Sequence, residues 1–155
     1  MKTLLMMAIS VFSTVSSAEI LNFPSFQLEV EQGWAHSVES GAQAHAAAGS
    51  LISIYHPAGN GILRIRRYAA PSIVGRETLR NMTNVDTSTH LTWQAWGDYS
   101  GYQHDYSEGG SFYRQWWLSD EMTIILIVYE STTELGGIES EQISRIVNSI
   151  KTSTP

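Results

Sequence analysis

Residues 93–129 read WQAWGDYSGYQHDYSEGGSFYRQWWLSDEMTIILIVY and hold four of the five tryptophans in the chain. Tyr, Trp, Phe, Ile and Val at this density suit a pleated, half-buried surface, and the Gly-Asp, Glu-Gly-Gly and Ser-Asp-Glu clusters among them are turn chemistry. The stretch therefore predicts three or four consecutive antiparallel strands. From Met122 to Tyr129 the apolar run does not alternate, so both faces of that strand need cover and it belongs in the middle of the sheet.

Elsewhere the pattern changes along the chain. Lys2, an apolar run from Leu4 to Val15 and then Ser16-Ser17-Ala18 have the form of a secretory signal peptide, too short to span a membrane. Cleavage after Ala18 would leave residues 19–155 as one exported domain. Phe26, Leu28 and Val30 alternate with Gln27 and Glu29, a half-buried strand. The turn Gln32-Gly33-Trp34 should return the chain through Ala35 to Glu39 as that strand's partner. The Ala-rich residues 41–49 read as a loop or a single helical turn, the most mobile part of the exported chain. Residues 50–56 and 62–68 form a hairpin about Pro57-Ala-Gly-Asn-Gly61, with Leu63 and Ile65 on one face of its second strand and Arg64 and Arg66 on the other.

Two segments read as helices. Residues 71–85 carry Leu79, Met82 and Val85 at helical spacing, with Ser72 as the cap and Glu77 in the early turns. After Gly136-Gly137, the residues Ile143, Ile146, Val147 and Ile150 form one apolar face, with Glu139 and Glu141 near the start and Lys151 at the end, favourable to the helix dipole. Asn81-Met-Thr83 matches a glycosylation sequon. The fold class is α+β: a central antiparallel sheet flanked by helices, with the C-terminal helix packed on it.

Composition narrows the function. A chain with 43% hydrophobic and 15% charged residues has enough apolar surface to be globular. Its net charge of −6 provides no field for phosphate backbones, so nucleic acid is not an expected partner. With no cysteine, disulfides, thiolate catalysis and Cys-ligated zinc are excluded.

Phe26 with Gly33-Trp34, the strand from Leu51 to Tyr55, Trp116-Trp117-Leu118, the strand from Ile125 to Tyr129 and the closing segment from Glu141 to Lys151 resemble the PsbP-like superfamily. That group includes photosystem extrinsic proteins, Ran-binding Mog proteins and secreted bacterial domains. The resemblance implies an α/β/α arrangement about an antiparallel sheet and a non-catalytic role that binds or assists a protein partner. No shared catalytic residues define the group, so none are carried over. The lipid-anchor cysteine of some secreted members is absent here.

Catalytic chemistry finds no pattern in the residues. His36, His45, His56, His90 and His104 lack metal-ligand spacing, so no metal is expected. Asp98/Asp105 and Asp120/Glu121 read as turn carboxylates, and neither a nucleophile elbow nor a phosphate loop is present. Neither a catalytic residue nor a cofactor is expected.

Binding character lies in residues 99–117. Alternation puts Tyr102, His104 and Tyr106 on one face of the first strand, and Phe112, Arg114 and Trp116 on one face of the second. A turn centred on Gly109 sets Tyr106 against Phe112, His104 against Arg114 and Tyr102 against Trp116. A shift of one residue sets Tyr113, Gln115 and Trp117 against them instead. One face then packs under a helix, while the other either stiffens the sheet or recognises a partner through Tyr, Trp and Arg anchors. The expected partner contacts are Tyr102, Arg114 and Trp116, with Arg64 and Arg66 as neighbours. The function expected is that of an exported, periplasmic or extracellular module that binds a protein of the cell envelope without catalysis and without a membrane span once the signal is removed. The alternatives are a small-ligand or glycan binder built on the same aromatic hairpin, and a hydrolase whose site is assembled from distant residues.

Overall fold

The computed structural model describes residues 17–39 and 49–153. The signal-peptide segment up to residue 16 and nearly all of the Ala-rich stretch, residues 40–48, lie outside them.

Two antiparallel sheets and two helices make up the described chain. The larger sheet has seven strands in the order β3-β4-β5-β9-β8-β7-β6, and the smaller has three in the order β1-β2-β10. In chain order the elements are β1 (Glu19–Asn22), β2 (Phe26–Val30), β3 (Ala35–Glu39), β4 (Leu51–Tyr55), β5 (Gly61–Ala69), α1 (Arg76–Met82), β6 (Gln94–Trp96), β7 (Tyr99–Glu108), β8 (Ser111–Ser119), β9 (Thr123–Ser131), α2 (Ile138–Asn148) and β10 (Lys151–Thr152). The aromatic stretch forms four strands that run as a meander from the edge β6 inward to β9. There β9 joins β5 and sits fourth of seven, the central place its unbroken apolar run requires.

One face of the large sheet is covered except at its margins, where Val38 of the edge strand β3 is 49% exposed. Ile52, Ile54, Leu63, Ile65, Trp116, Leu118, Ile125, Ile127 and Tyr129 pack there against Ile143, Ile146, Val147 and Ile150 from the C-terminal segment and Leu21, Phe26, Leu28 and Val30 from the small sheet. The helix alone is too short to roof a seven-stranded sheet, and the small sheet supplies the rest. Its middle strand β2 is tied to the end of α2, where Glu29 N–H donates to Ser149 Oγ (2.8 Å) and β10 adds to its edge.

Several details differ from the expectation. β3 does form, but it pairs with β4, while β2 pairs with β1 and β10. The buried Trp34, whose ring meets His56 edge-on at 5.7 Å, carries the chain from one sheet to the other, so the two strands do not close a hairpin. α1 is seven residues long, starts at Gly75 without a side-chain cap and buries only Leu79. Ser72 stands too far upstream to cap it, and Met82 is exposed. The basic residue in the last turn of α2 is Arg145, since Lys151 already belongs to β10. At Gly97 a Cβ would collide with the Ile150 carbonyl, so only glycine lets the β6–β7 turn dock on the C-terminal segment.

Candidate functional site

The register of the β7–β8 hairpin decides which side chains are available. Gly109 and Gly110 both have positive φ (60° and 85°), as a two-residue type I′ turn demands, and Glu108 pairs with Ser111 across it. Counting inward, Tyr106 opposes Tyr113, His104 opposes Gln115 and Tyr102 opposes Trp117. The turn is thus centred between the glycines, and the shifted register is the one adopted.

This places the five expected contact residues in three environments. Trp116 is 0% exposed, in the core beneath α2 and the small sheet. Arg114 lies on the same face; it donates to both oxygens of Asp105 (2.9 and 2.7 Å) and to Ser140 and Ser144 of α2 (3.2 and 3.1 Å), so it fastens helix to sheet. Tyr102 is on the opposite face, 5% exposed, with its ring edge-on to Trp93 at 5.2 Å and its hydroxyl 3.3 Å from the Arg76 carbonyl. Only Arg64 and Arg66 share an accessible stretch of that second face. The surface predicted from Tyr102, Arg114 and Trp116 is therefore corrected: alternation in the adopted register sends the last two to the core side.

The second face of the large sheet divides in two. Over one half, Tyr102, Trp117 and Ile124 pack with Val74 and Leu79, flanked by Tyr68, Val85, Leu91, Trp93 and Leu126. Arg80 shapes this cover, donating to Thr83 Oγ1 and to the carbonyls of Val85, Asp86 and Thr89 at 2.9–3.0 Å. Thr83, the hydroxyl residue of the sequon, is buried and donates back to the Arg80 carbonyl at 2.8 Å.

Over the other half, two cross-strand rows belong to neither apolar cluster. One runs Ser53, Arg64, Val128, Gln115, His104 and the next Ile62, Glu130, Tyr113, Tyr106. Apart from the buried Ser53 these side chains are half-buried. They form a connected chain: Arg64 Nη1 donates to Glu130 Oε2 (2.8 Å), and the Tyr113 hydroxyl donates to Glu130 Oε1 (3.3 Å). The Tyr113 ring lies near-parallel to Tyr106 at 4.9 Å, and Tyr106 near-parallel to His104 at 5.9 Å. Burial first, then Tyr113, Glu108 and Glu130, raise the pKa of the Tyr106 hydroxyl and keep it a donor. An open recess of about 470 Å³, lined by Tyr55, Pro57, Asn60, Ile62, Arg64 and Glu130 among others, continues the second row past the β4–β5 turn. Glu139 of α2 holds that turn from beneath, accepting from Asn60 N–H (2.7 Å) and Gly61 N–H (2.9 Å).

Tyr106, Tyr113, Gln115 and Glu130 were not among the expected contacts. The signal that finds them is the Glu-Gly-Gly-Ser sequence, since two adjacent glycines favour a two-residue turn and that turn fixes the register. Of the residues weighed as catalytic acids, Asp98 in the β6–β7 turn accepts from Thr152 N–H of β10 (3.0 Å), and Asp120 is a local turn acceptor for Met122 and Thr123 N–H (3.2 and 2.7 Å). Among the described residues no three His, Asp or Glu side chains gather as metal ligands, and no helix is long and apolar enough to cross a membrane.

No protein-family model matches the chain, and neither does any curated protein. A crystal structure of a Bacteroides thetaiotaomicron protein is similar in fold, with a TM-score of 0.58 and 13% identity over 83% of this chain. The match spans 45% of that protein's chain. At this identity the likeness concerns the fold alone.

Proposed function

We propose that this chain is an exported, non-catalytic accessory module of PsbP-like, α/β/α architecture that holds a protein partner of the cell envelope against the open half of its large sheet. Export rests on the segment from Lys2 to Ala18, and the layered architecture on the placement of α1 and α2 against opposite faces of one antiparallel sheet. The observation that carries the reading is the division of the second face. Leu79 and its neighbours cover one half, while two rows that include Tyr106, Tyr113 and Arg64 are left half-buried on the other. Tyr and Arg are the residue types that anchor protein interfaces, and a broad sheet face suits a partner better than a small ligand.

A glycan platform is the weaker reading. Stacking on a sugar needs a free ring face, and Tyr106 lies near-parallel to rings on two sides, Tyr113 and His104.

Capture from the native envelope fraction tests the proposal. A Tyr106→Ala/Tyr113→Ala double variant should keep a cooperative melt and lose the partner that the unaltered protein retains. A far-side Arg145→Ala variant should retain it. A partner held equally by the double variant contradicts the proposal.

A further inference from the structure

The recess past the β4–β5 turn has a chemistry of its own. At about 470 Å³ it falls in the size range of small-molecule sites. Arg64 and Glu130 line it as an ion pair at 2.8 Å, with the Tyr113 hydroxyl on the other carboxylate oxygen. The two charges cancel, so the pair favours neither an anionic nor a cationic ligand, and the net charge of −6 on the whole chain disfavours anions further. Both side chains remain partly exposed, and each keeps hydrogen-bonding capacity: guanidinium N–H groups on Arg64 and a second lone pair on each oxygen of Glu130. An apolar ligand would strip water from this pair and return no hydrogen bond.

The rest of the lining is apolar or held in place. Tyr55 is 37% exposed and, unlike Tyr106, stacks on no other ring among the described residues. Pro57 and Ile62 add apolar surface. The turn between them is fixed on both sides. Gly59 N–H donates to the His56 carbonyl (2.8 Å), Thr132 N–H donates to the Asn60 carbonyl (3.0 Å), and Glu139 accepts from Asn60 and Gly61 N–H. With its backbone so engaged, Asn60 presents an exposed side-chain amide, both donor and acceptor, to the recess.

We infer that this recess is a binding site for a neutral saccharide, in which the Tyr55 ring takes the C–H face of a pyranose and Arg64, Glu130 and Asn60 share its hydroxyls. A hydroxyl both donates and accepts, so neighbouring hydroxyls of one sugar satisfy a guanidinium and a carboxylate together. The sugar's C–H groups lie against the electron-rich face of the aromatic ring. Because the turn and the ion pair are already held, little further ordering of the protein is needed on binding. This site is separate from the aromatic hairpin, whose Tyr106 lies near-parallel to rings on two sides.

Titration of the isotopically labelled protein with chitotriose, cellotriose and maltotriose, followed by NMR, tests this. At least one of the three should shift the Asn60 side-chain amide, the Arg64 Nε–H signal and the backbone signals of residues 55–62. Raising the salt should leave its affinity unchanged, because the ligand carries no charge. Preference for chitotriose assigns the site to N-acetylated glycan, and preference for either of the others to plain glucan. Tyr55→Ala should weaken binding about tenfold, while Tyr55→Phe, which keeps the ring, and the far-side Arg145→Ala should bind as the unaltered protein does. Asn60→Ala, which leaves the backbone bonds of the turn in place, should also weaken it. The inference fails if none of the three sugars shifts these signals, or if trigalacturonate or triglycine binds the recess as tightly as the best of them. It fails equally if Tyr55→Ala binds as well as the unaltered protein. A result against the sugar leaves the docking reading to the capture experiment above, and failure of that experiment leaves this titration unaffected.

Discussion

At the scale of single residues, neighbouring tryptophans have different surroundings. Trp116 and Trp117 are adjacent in sequence, yet the pleat sends the first under α2 and the small sheet and the second under α1 and its flanking loop. Trp116 is fully buried and its indole N–H has no hydrogen-bond partner among the described residues. Trp116→Ala should therefore cost about 3–5 kcal/mol from the cavity it opens. Trp116→Phe should cost far less, since it removes a buried donor that makes no bond along with part of the volume. Urea denaturation of the two variants checks this, and equal losses would contradict it. That Trp116 is core was within reach of the sequence, because alternation fixes its side once the register is known. What alternation lacks is the register, and this is set by the backbone of two glycines rather than by any side-chain pattern.

At the scale of elements, strands and helices with a strong periodic signal were legible, and those defined by tertiary pairing were not. The apolar spacing of Ile143, Ile146 and Val147 and the alternation of Phe26, Leu28 and Val30 mark α2 and β2 directly. β1 and β10 are four and two residues long, too short to carry a periodic signal, and exist because β2 offers them edges. The same small sheet is joined to α2 by Glu31, which accepts from Arg145 at 2.7 Å and Gln142 at 2.8 Å. Those hydrogen bonds, Arg145 foremost, hold the Glu31 carboxyl below its ordinary value against a weaker opposing effect of burial. A carboxyl with a lowered folded pKa stabilises the fold above its unfolded pKa and stops doing so as pH falls through the folded one. The pair is 59% and 37% exposed on its two side chains, so solvent screening keeps the effect under about 1 kcal/mol. Glu31→Gln should lower the denaturation midpoint slightly near pH 7 and make no difference well below the carboxylate range. A loss that persists unchanged into acid would show that packing, not charge, joins β2 to α2.

At the scale of the whole molecule, the arrangement follows from a sheet that is covered on one side except at its margins and half covered on the other. The unbroken apolar run of β9 led to the expectation of cover on both faces. Ile125, Ile127 and Tyr129 meet it, but on the second face only Ile124 is fully buried, while Leu126 and Val128 are half-buried. Val128 thus lies half-buried between Arg64 and Gln115, in the half of the face that α1 and its flanking loop leave uncovered. This division was hidden in the sequence because the extent of the α1 cover depends on where a seven-residue helix comes to rest, and periodicity does not set that. Site-specific photo-crosslinking within the native envelope is the most direct test of the central claim. A photoreactive residue at position 104 or 115, in the open rows, should give a discrete adduct with the partner, and one at position 141 or 148, on the exposed side of α2, should give none. Adducts from α2 with none from the open rows would contradict it.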